Sequence, residues 1–307
     1  MRSLLAACAL VIVLTDCGGS SSPPAPSPTP TPSPAPTPTP PAGPVSATVT
    51  AMLDALPAYI TSVLAENQDL LPRNPQSASY IQAKIAMLQD PNLATAIRND
   101  RRWSESATSR IPIACLFPLE SMRSEASVAV TTLEPVIPLL EEFFAKSFPT
   151  PAVRVWYGFK IGNTGGGGAI YSEDRTTYET RTGPTRLPFD AILSHELGHS
   201  YIGNESLNQF LELYTYNVIR TGSRVPSAWV FVRNWMPGLA TNQDVAALLD
   251  VYQLIGYDTM ARAYRAIQPL NPPYGSPLSS TVIQTFVDQV LPEHRSQVTD
   301  KLRRVTF

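Results

Sequence analysis

Apolar positions recur at spacings of three and four in several windows of the chain, the period of helices that bury one face. Val49, Leu53, Leu56, Ile60 and Leu64 form one such series, and Ile81, Ile85 and Leu88 another. Leu133, Ile137, Leu140, Phe143 and Phe144 predict a further helix, with Pro135 and Pro138 near its first turn or at a kink. The stretch from Val45 to about Phe148 therefore reads as mostly helical. Residues 153–159 then switch to alternation in β-prone residue types and predict a strand. The glycine-rich stretch 162–168 predicts a loop, Ala169-Ile170-Tyr171 open a second strand, and the polar residues to Thr185 turn the chain back. Residues 188–203 predict a helix with Pro188 suited to its first turn. Further helices are expected near 207–219, 242–254, 257–267 and 279–291. The implied fold class is α+β, mostly helical with a small mixed sheet.

The N-terminus changes the picture. Arg2 followed by an apolar run over residues 4–14 has the form of an export signal, too short for the roughly 20 apolar residues of a membrane span. The run leads into Leu14-Thr15-Asp16-Cys17-Gly18-Gly19, which resembles the lipobox of bacterial lipoproteins, with Cys17 as the lipidated residue. Asp16 departs from the small residue usual before that cysteine, and a freely secreted protein is the alternative. Residues 23–44 hold 12 prolines among Ala, Ser and Thr. Such a segment buries no core and extends as polyproline II, reaching roughly 70 Å if fully stretched. The expected organisation is a signal at 1–17, a tether at 18–44, a helical N-terminal region at 45–130 and a catalytic domain at 131–307. The expected location is the cell envelope, exported and lipid-anchored. A net charge of −2 argues against nucleic acid as a partner. Of three cysteines only Cys115 lies in the body of the chain, so neither an internal disulfide nor a cysteine-based metal site is available there.

The candidate chemistry lies in His195-Glu196-Leu197-Gly198-His199. Four residues advance a helix by about 400°, so both imidazoles share a face and can reach one ion. Zinc suits such ligands and keeps an open position in catalytic sites. Glu196, beside that face, is the candidate general base for a zinc-activated water. The chain has only three histidines, two of them here, and the flanks Ala191-Ile192-Leu193-Ser194 and Ser200-Tyr201-Ile202 are uncharged. For the third ligand, a metzincin pattern demands Gly at 202 and His at 205, where Ile202 and Glu205 stand. Glu205 faces away if the helix continues unbroken. If the chain turns at Gly203-Asn204 and Ser206 caps a returning helix, Glu212 points toward the ion. Glu212 is thus preferred to Glu205.

The segment His195-Glu196-Leu197-Gly198-His199-Ser200-Tyr201-Ile202-Gly203-Asn204 resembles the zinc helix of gluzincin peptidases, especially the aminopeptidase N family, whose HELAHQWFGN agrees at six of ten positions. The resemblance implies a gluzincin-like (thermolysin-like) catalytic domain and a third ligand Glu on the following helix. Phe210-Leu211-Glu212-Leu213-Tyr214-Thr215 is similar in placement to that family's WLNEGFA, six residues closer to the histidines. The family's GAMEN edge strand would correspond to Gly168-Ala169-Ile170-Tyr171-Ser172, with Tyr171 in place of the glutamate that grips a free amine. Its oxyanion tyrosine would fall at Thr241, leaving Tyr252, Tyr257, Tyr274 and His294 as candidates with nothing local to choose among them.

The function implied is a zinc-dependent peptidase acting on peptides or proteins in the envelope, with His195, His199 and Glu212 holding the metal and Glu196 as base. The rival expectations are a catalytically degenerate gluzincin kept as a metal-containing binding or maturation module, and a structural lipoprotein without metal.

Overall fold

A computed structural model describes residues 44–106, 109–182, 188–225 and 243–305. The proposed lipidation site Cys17, the tether and Thr241 lie outside the described residues.

Five short strands form one mixed sheet in the order β1-β2-β3-β5-β4: β1 (Trp103–Glu105), β2 (Ile113–Leu116), β3 (Val153–Tyr157), β4 (Thr164–Gly166) and β5 (Ala169–Ser172). The central pairs β2–β3 and β3–β5 are parallel; β1 and β4 run antiparallel at the two edges. Side chains alternate across the sheet, as the pleat requires. Ile113, Cys115, Val153, Val155 and Tyr157 join the larger core, whereas Ala114, Leu116 and Trp156 face a second one.

That second core is roofed by α1 (Ala47–Leu70), α2 (Ala78–Leu88) and α3 (Leu93–Asn99). Val49, Met52, Leu56 and Val63 of α1 are essentially fully buried there, each contributing about 1.5–3 kcal/mol of burial. The segment Ala47–Arg73 is long and apolar enough to cross a membrane by length and composition; Val49, Met52, Leu53, Leu56 and Val63 in it pack into this second core. The larger core lies between the other face and α4 (Arg123–Leu133), α5 (Val136–Phe144), α6 (Arg175–Thr182), α7 (Phe189–Gly198), α8 (Glu205–Thr221), α9 (Gln243–Ile267), α10 (Ser280–Val287) and α11 (Arg295–Leu302). Gly256, at φ 73°, breaks α9 into two helices, matching the expected segments on either side.

The α+β class therefore stands, with three differences of detail. The region 45–130 is not purely helical: β1 and β2 lie in it and hydrogen-bond into the sheet, and α4 runs through the expected boundary at 130/131. β2 is four residues buried on both faces, a continuous apolar run that periodicity cannot distinguish from helix. The polar stretch after β5 is not only a turn but contains α6, whose first turn Asp174 closes by accepting the Thr177 N–H at 2.8 Å. The glycine-rich stretch expected as a loop contains β4, and β4, not residues 168–172, is the sheet edge.

The N-terminal helices brace that end of the sheet with buried polar contacts. Lys84 on α2 pairs with Asp174 at 2.6 Å, both side chains nearly fully buried. Lys160 pairs with Glu66 at 2.5 Å, and Asn67 donates to the Phe159 carbonyl at 3.3 Å. The C-terminal turns of α1 are thereby tied to the connection that leads into β4.

Candidate metal centre

The site is set by where α7 stops. It ends at Gly198, with His199 as its C-cap, rather than continuing to Gly203. The Ser200 and Ile202 N–H groups close the end on the Leu197 and Gly198 carbonyls. Asn204 then caps α8, its side chain accepting from the Leu207 N–H at 3.2 Å. Ser206, the expected cap, instead bonds Asp244 at 2.9 Å in the interior. The turn brings α8 back along α7. Gly198 makes the approach possible: a Cβ there would lie 2.0 Å from Asn208 Oδ1. Asn208 uses the space to donate to the His195 carbonyl at 2.7 Å.

Ending α7 early reverses the expected order of the two glutamates. Glu205, at the first position of α8, no longer faces away. Its Oε1 lies 3.2 Å from His195 Nε2 and its Oε2 3.4 Å from His199 Nε2. The two Nε2 atoms are 3.2 Å apart. His195, His199 and Glu205 form a group whose donor atoms lie within 4.8 Å of one another and can hold a metal ion. Glu212, the expected third ligand, reaches His195 from the other side and meets Nδ1 at 3.0 Å. It stands on the Nδ1 side of the ring, and Glu205 on the Nε2 side.

Hydrogen bonding fixes the tautomers. His199 Nδ1 faces the Ile202 carbonyl at 3.2 Å, an acceptor only, so Nδ1 carries the proton and Nε2 a lone pair. His195 Nδ1 donates to Glu212 in the same way. With His195 neutral, two nitrogen lone pairs and a carboxylate face one point, a donor set that a cation can bridge; with His195 protonated, its Nε2 donates to Glu205 instead. Burial lowers the His195 pKa, but Glu205 and Glu212 outweigh it and push the group up to about 10. Burial would raise Glu205, yet the two histidines hold it well below the usual carboxylate range. Glu212 is fully buried, its Oε1 has no hydrogen-bond partner, and burial pushes its pKa up. Glu196 is also buried and is raised to about 7, desolvation exceeding the opposing pull of the histidines.

Beside this group opens a cleft of about 360 Å³, lined by Asn163, Thr164, Gly165, Glu196, Gly203 and Tyr274 together with His195, His199 and Glu205. β4 lies directly on α7: a Cβ on Gly165 would come within 2.4 Å of the Glu196 carbonyl oxygen. The edge strand thus packs against the main chain of α7 at Glu196, between the two histidines in sequence. Of the four oxyanion candidates, Tyr274 alone lines the cleft; its ring centroid is 6.1 Å from that of His199. The negative charge of Glu205, then burial and Glu196, raise its hydroxyl pKa. Tyr252 donates to the Arg224 carbonyl and Tyr257 packs on Phe143 and Tyr214, both in the core behind α8. Tyr171 turns to the other face of the sheet and stacks on Tyr59, away from the cleft.

Sequence reasoning missed Asn208, the role of Asn204 as cap, and the strand inside the glycine run. Only Asn204, a strong capping residue ahead of a helical pattern, carried a usable signal. No protein-family model and no curated protein matches the chain.

Proposed function

We propose that the chain is a zinc-dependent peptidase with a gluzincin-like site, exported and tethered in the cell envelope through Cys17. The observation that carries this is the convergence of His195 Nε2, His199 Nε2 and the Glu205 carboxylate, with Glu196 next to them in a cleft bordered by an open strand edge. Two nitrogens bound at 2.0–2.1 Å to one tetrahedral ion stand about 3.3–3.4 Å apart, close to the 3.2 Å between these imidazoles. Three protein ligands leave a fourth position open, the pattern of catalytic and not of closed structural sites.

When bound, zinc supplies Lewis acidity that polarises a carbonyl and lowers the pKa of water to about 7. The chain's own residues do the rest. Glu196, buried beside the two histidines and lining the cleft, would accept the proton of the attacking water and return it to the departing amine. Glu212 and the Ile202 carbonyl hold both imidazoles in the tautomer that presents Nε2. The edge of β4 offers main-chain groups with which an extended peptide can pair, which positions its backbone across the histidines.

The test is metal content by mass spectrometry of the purified chain, beside Glu205→Ala, followed by a peptide-library screen with Glu196→Gln as control. About one zinc per chain, lost in the first variant, with cleavage abolished in the second, supports the proposal. No zinc after refilling would end it, and stoichiometric zinc without cleavage of any peptide would favour a binding or maturation module.

A further inference from the structure

A turn that carries Tyr274 forms the outer wall of the cleft, and one buried amide bonds it at two points. Residues 271–276 form a turn between the second half of α9 and α10, with Asn271 and Gly275 at positive φ (44° and 62°) and two consecutive prolines before Tyr274. The turn projects Tyr274 beside the candidate donor group, where the residue remains 69 % exposed although its ring neighbours His199. A large aromatic residue left this exposed beside a cluster of buried donors gains nothing for the core. It is available to whatever enters the cleft.

What holds the turn is Asn204. Its side chain is fully buried and spends both amide hydrogens there, donating to the Pro273 carbonyl at 3.1 Å and the Ser276 carbonyl at 3.0 Å. These two carbonyls bracket Tyr274. The same side chain uses its oxygen to cap α8 at the residue immediately before Glu205. Gly203 lies against the same turn, the Pro272 carbonyl being 3.5 Å from where its Cβ would be. One buried amide thus joins the helix that carries the third metal donor to the turn that carries the wall.

We propose that Asn204 is a positioning residue that fixes Tyr274 as the outer wall of the peptide cleft, its two N–H donors serving substrate binding and its oxygen serving the metal helix. The inference rests on the peptidase reading for the identity of the ligand. The two jobs separate by substitution. Asp and Ser cap helices about as well as Asn, but neither provides two donors to carbonyls, so Asn204→Asp and Asn204→Ser keep the cap and release the turn. Their effect should run through Tyr274, and a cycle with Tyr274→Ala reveals that as non-additivity.

The experiment uses the zinc-loaded full chain and four variants: Asn204→Asp, Asn204→Ser, Tyr274→Ala and the Asn204→Ser/Tyr274→Ala double. Three quantities are measured: zinc affinity by chelator competition, amide hydrogen exchange at Tyr274, Gly275 and Ser276, and binding of a set of N-acetyl dipeptide hydroxamates by calorimetry. The expected result is zinc affinity within about threefold of the unmodified chain in every variant. Exchange in the turn rises at least tenfold in both Asn204 variants. Hydroxamate affinity falls about tenfold in Tyr274→Ala and in both Asn204 variants, and the double falls no further than Tyr274→Ala. Loss of zinc in both Asn204 variants, unchanged exchange, or additive losses in the double would each overturn the inference. An unmodified chain that binds the hydroxamates, with affinity indifferent to all four variants, overturns this inference alone. One that binds none of them and cleaves no peptide overturns the peptidase reading and the role of Tyr274 with it.

Discussion

Neutralising Glu205 and Glu212 in turn tests the arrangement most directly, because the two carboxylates touch opposite sides of His195. Glu205 lies 3.2 Å from Nε2, where an ion would bind, and Glu212 lies 3.0 Å from Nδ1, where it only orients the ring. Zinc held by four protein ligands is bound by about 10–16 kcal/mol, so one direct ligand is worth about 2.5–4 kcal/mol, or roughly 10²–10³ in affinity. An outer partner of a ligating histidine is typically worth 10–100-fold. Glu212→Gln keeps an oxygen to accept the Nδ1 proton and loses only charge, so its effect belongs near the lower end, about tenfold. Glu205→Gln loses both the charge and a good ligand atom and should cost 10²–10³-fold. The assay is competition with a chelating dye of known zinc affinity on each purified variant, with thermal melts of the metal-free proteins to establish folding. The refuting result is an inverted order, with Glu212→Gln losing metal by more than 10²-fold while Glu205→Gln keeps it. That outcome would mean that the turn after Gly198 does not place Glu205 as described.

Three further outcomes follow from other parts of the structure. Glu196→Gln should bind zinc as the unmodified chain does while cleavage falls by about 10²–10⁴, the usual range for a positioned proton acceptor; undiminished cleavage would remove Glu196 from the mechanism. Gly165→Ala forces a Cβ to 2.4 Å from a main-chain oxygen of α7, so β4 must shift, with about 1–3 kcal/mol lost in urea unfolding and weaker peptide binding; a variant of unchanged stability would show that β4 does not lie against α7. Asp174→Asn leaves Lys84 buried and unpaired and should cost about 3–5 kcal/mol near pH 7. Burial tends to raise the Asp174 pKa, but Lys84 and Thr177 outweigh it and hold it below the ordinary value. The pair's contribution is therefore complete above the unfolded value of about 3.9 and is lost as pH falls through the lower folded value. The gap between variant and parent in urea melts should close over that acidic window and stay constant above it.

Local chemistry determined a good deal by itself. Helical pitch puts His195 and His199 on one face whatever surrounds them, and the structure has both rings there, 4.8 Å apart. The alternating residues 153–157 form β3, and Pro188 precedes the first turn of α7. Gly256 breaks a long helix because no other residue adopts its φ readily. The strand β2 was not legible in this way, since a four-residue apolar run acquires its meaning only from the parallel neighbour that pairs with it. The same holds for β4: a glycine run says flexible until its pairing with β5 and the approach of α7 make small residues necessary. Which of Glu205 and Glu212 stands on the Nε2 side of the imidazoles belonged wholly to tertiary structure. It depends on whether α7 ends at Gly198 or at Gly203, and local signals permit both. What decided it was the return of α8, where Asn208 needs the space above Gly198 and Asn204 is held by a turn some 70 residues away in sequence. A residue's type and spacing can nominate it as a ligand; which side of the imidazole it reaches is set by packing between elements distant in the chain.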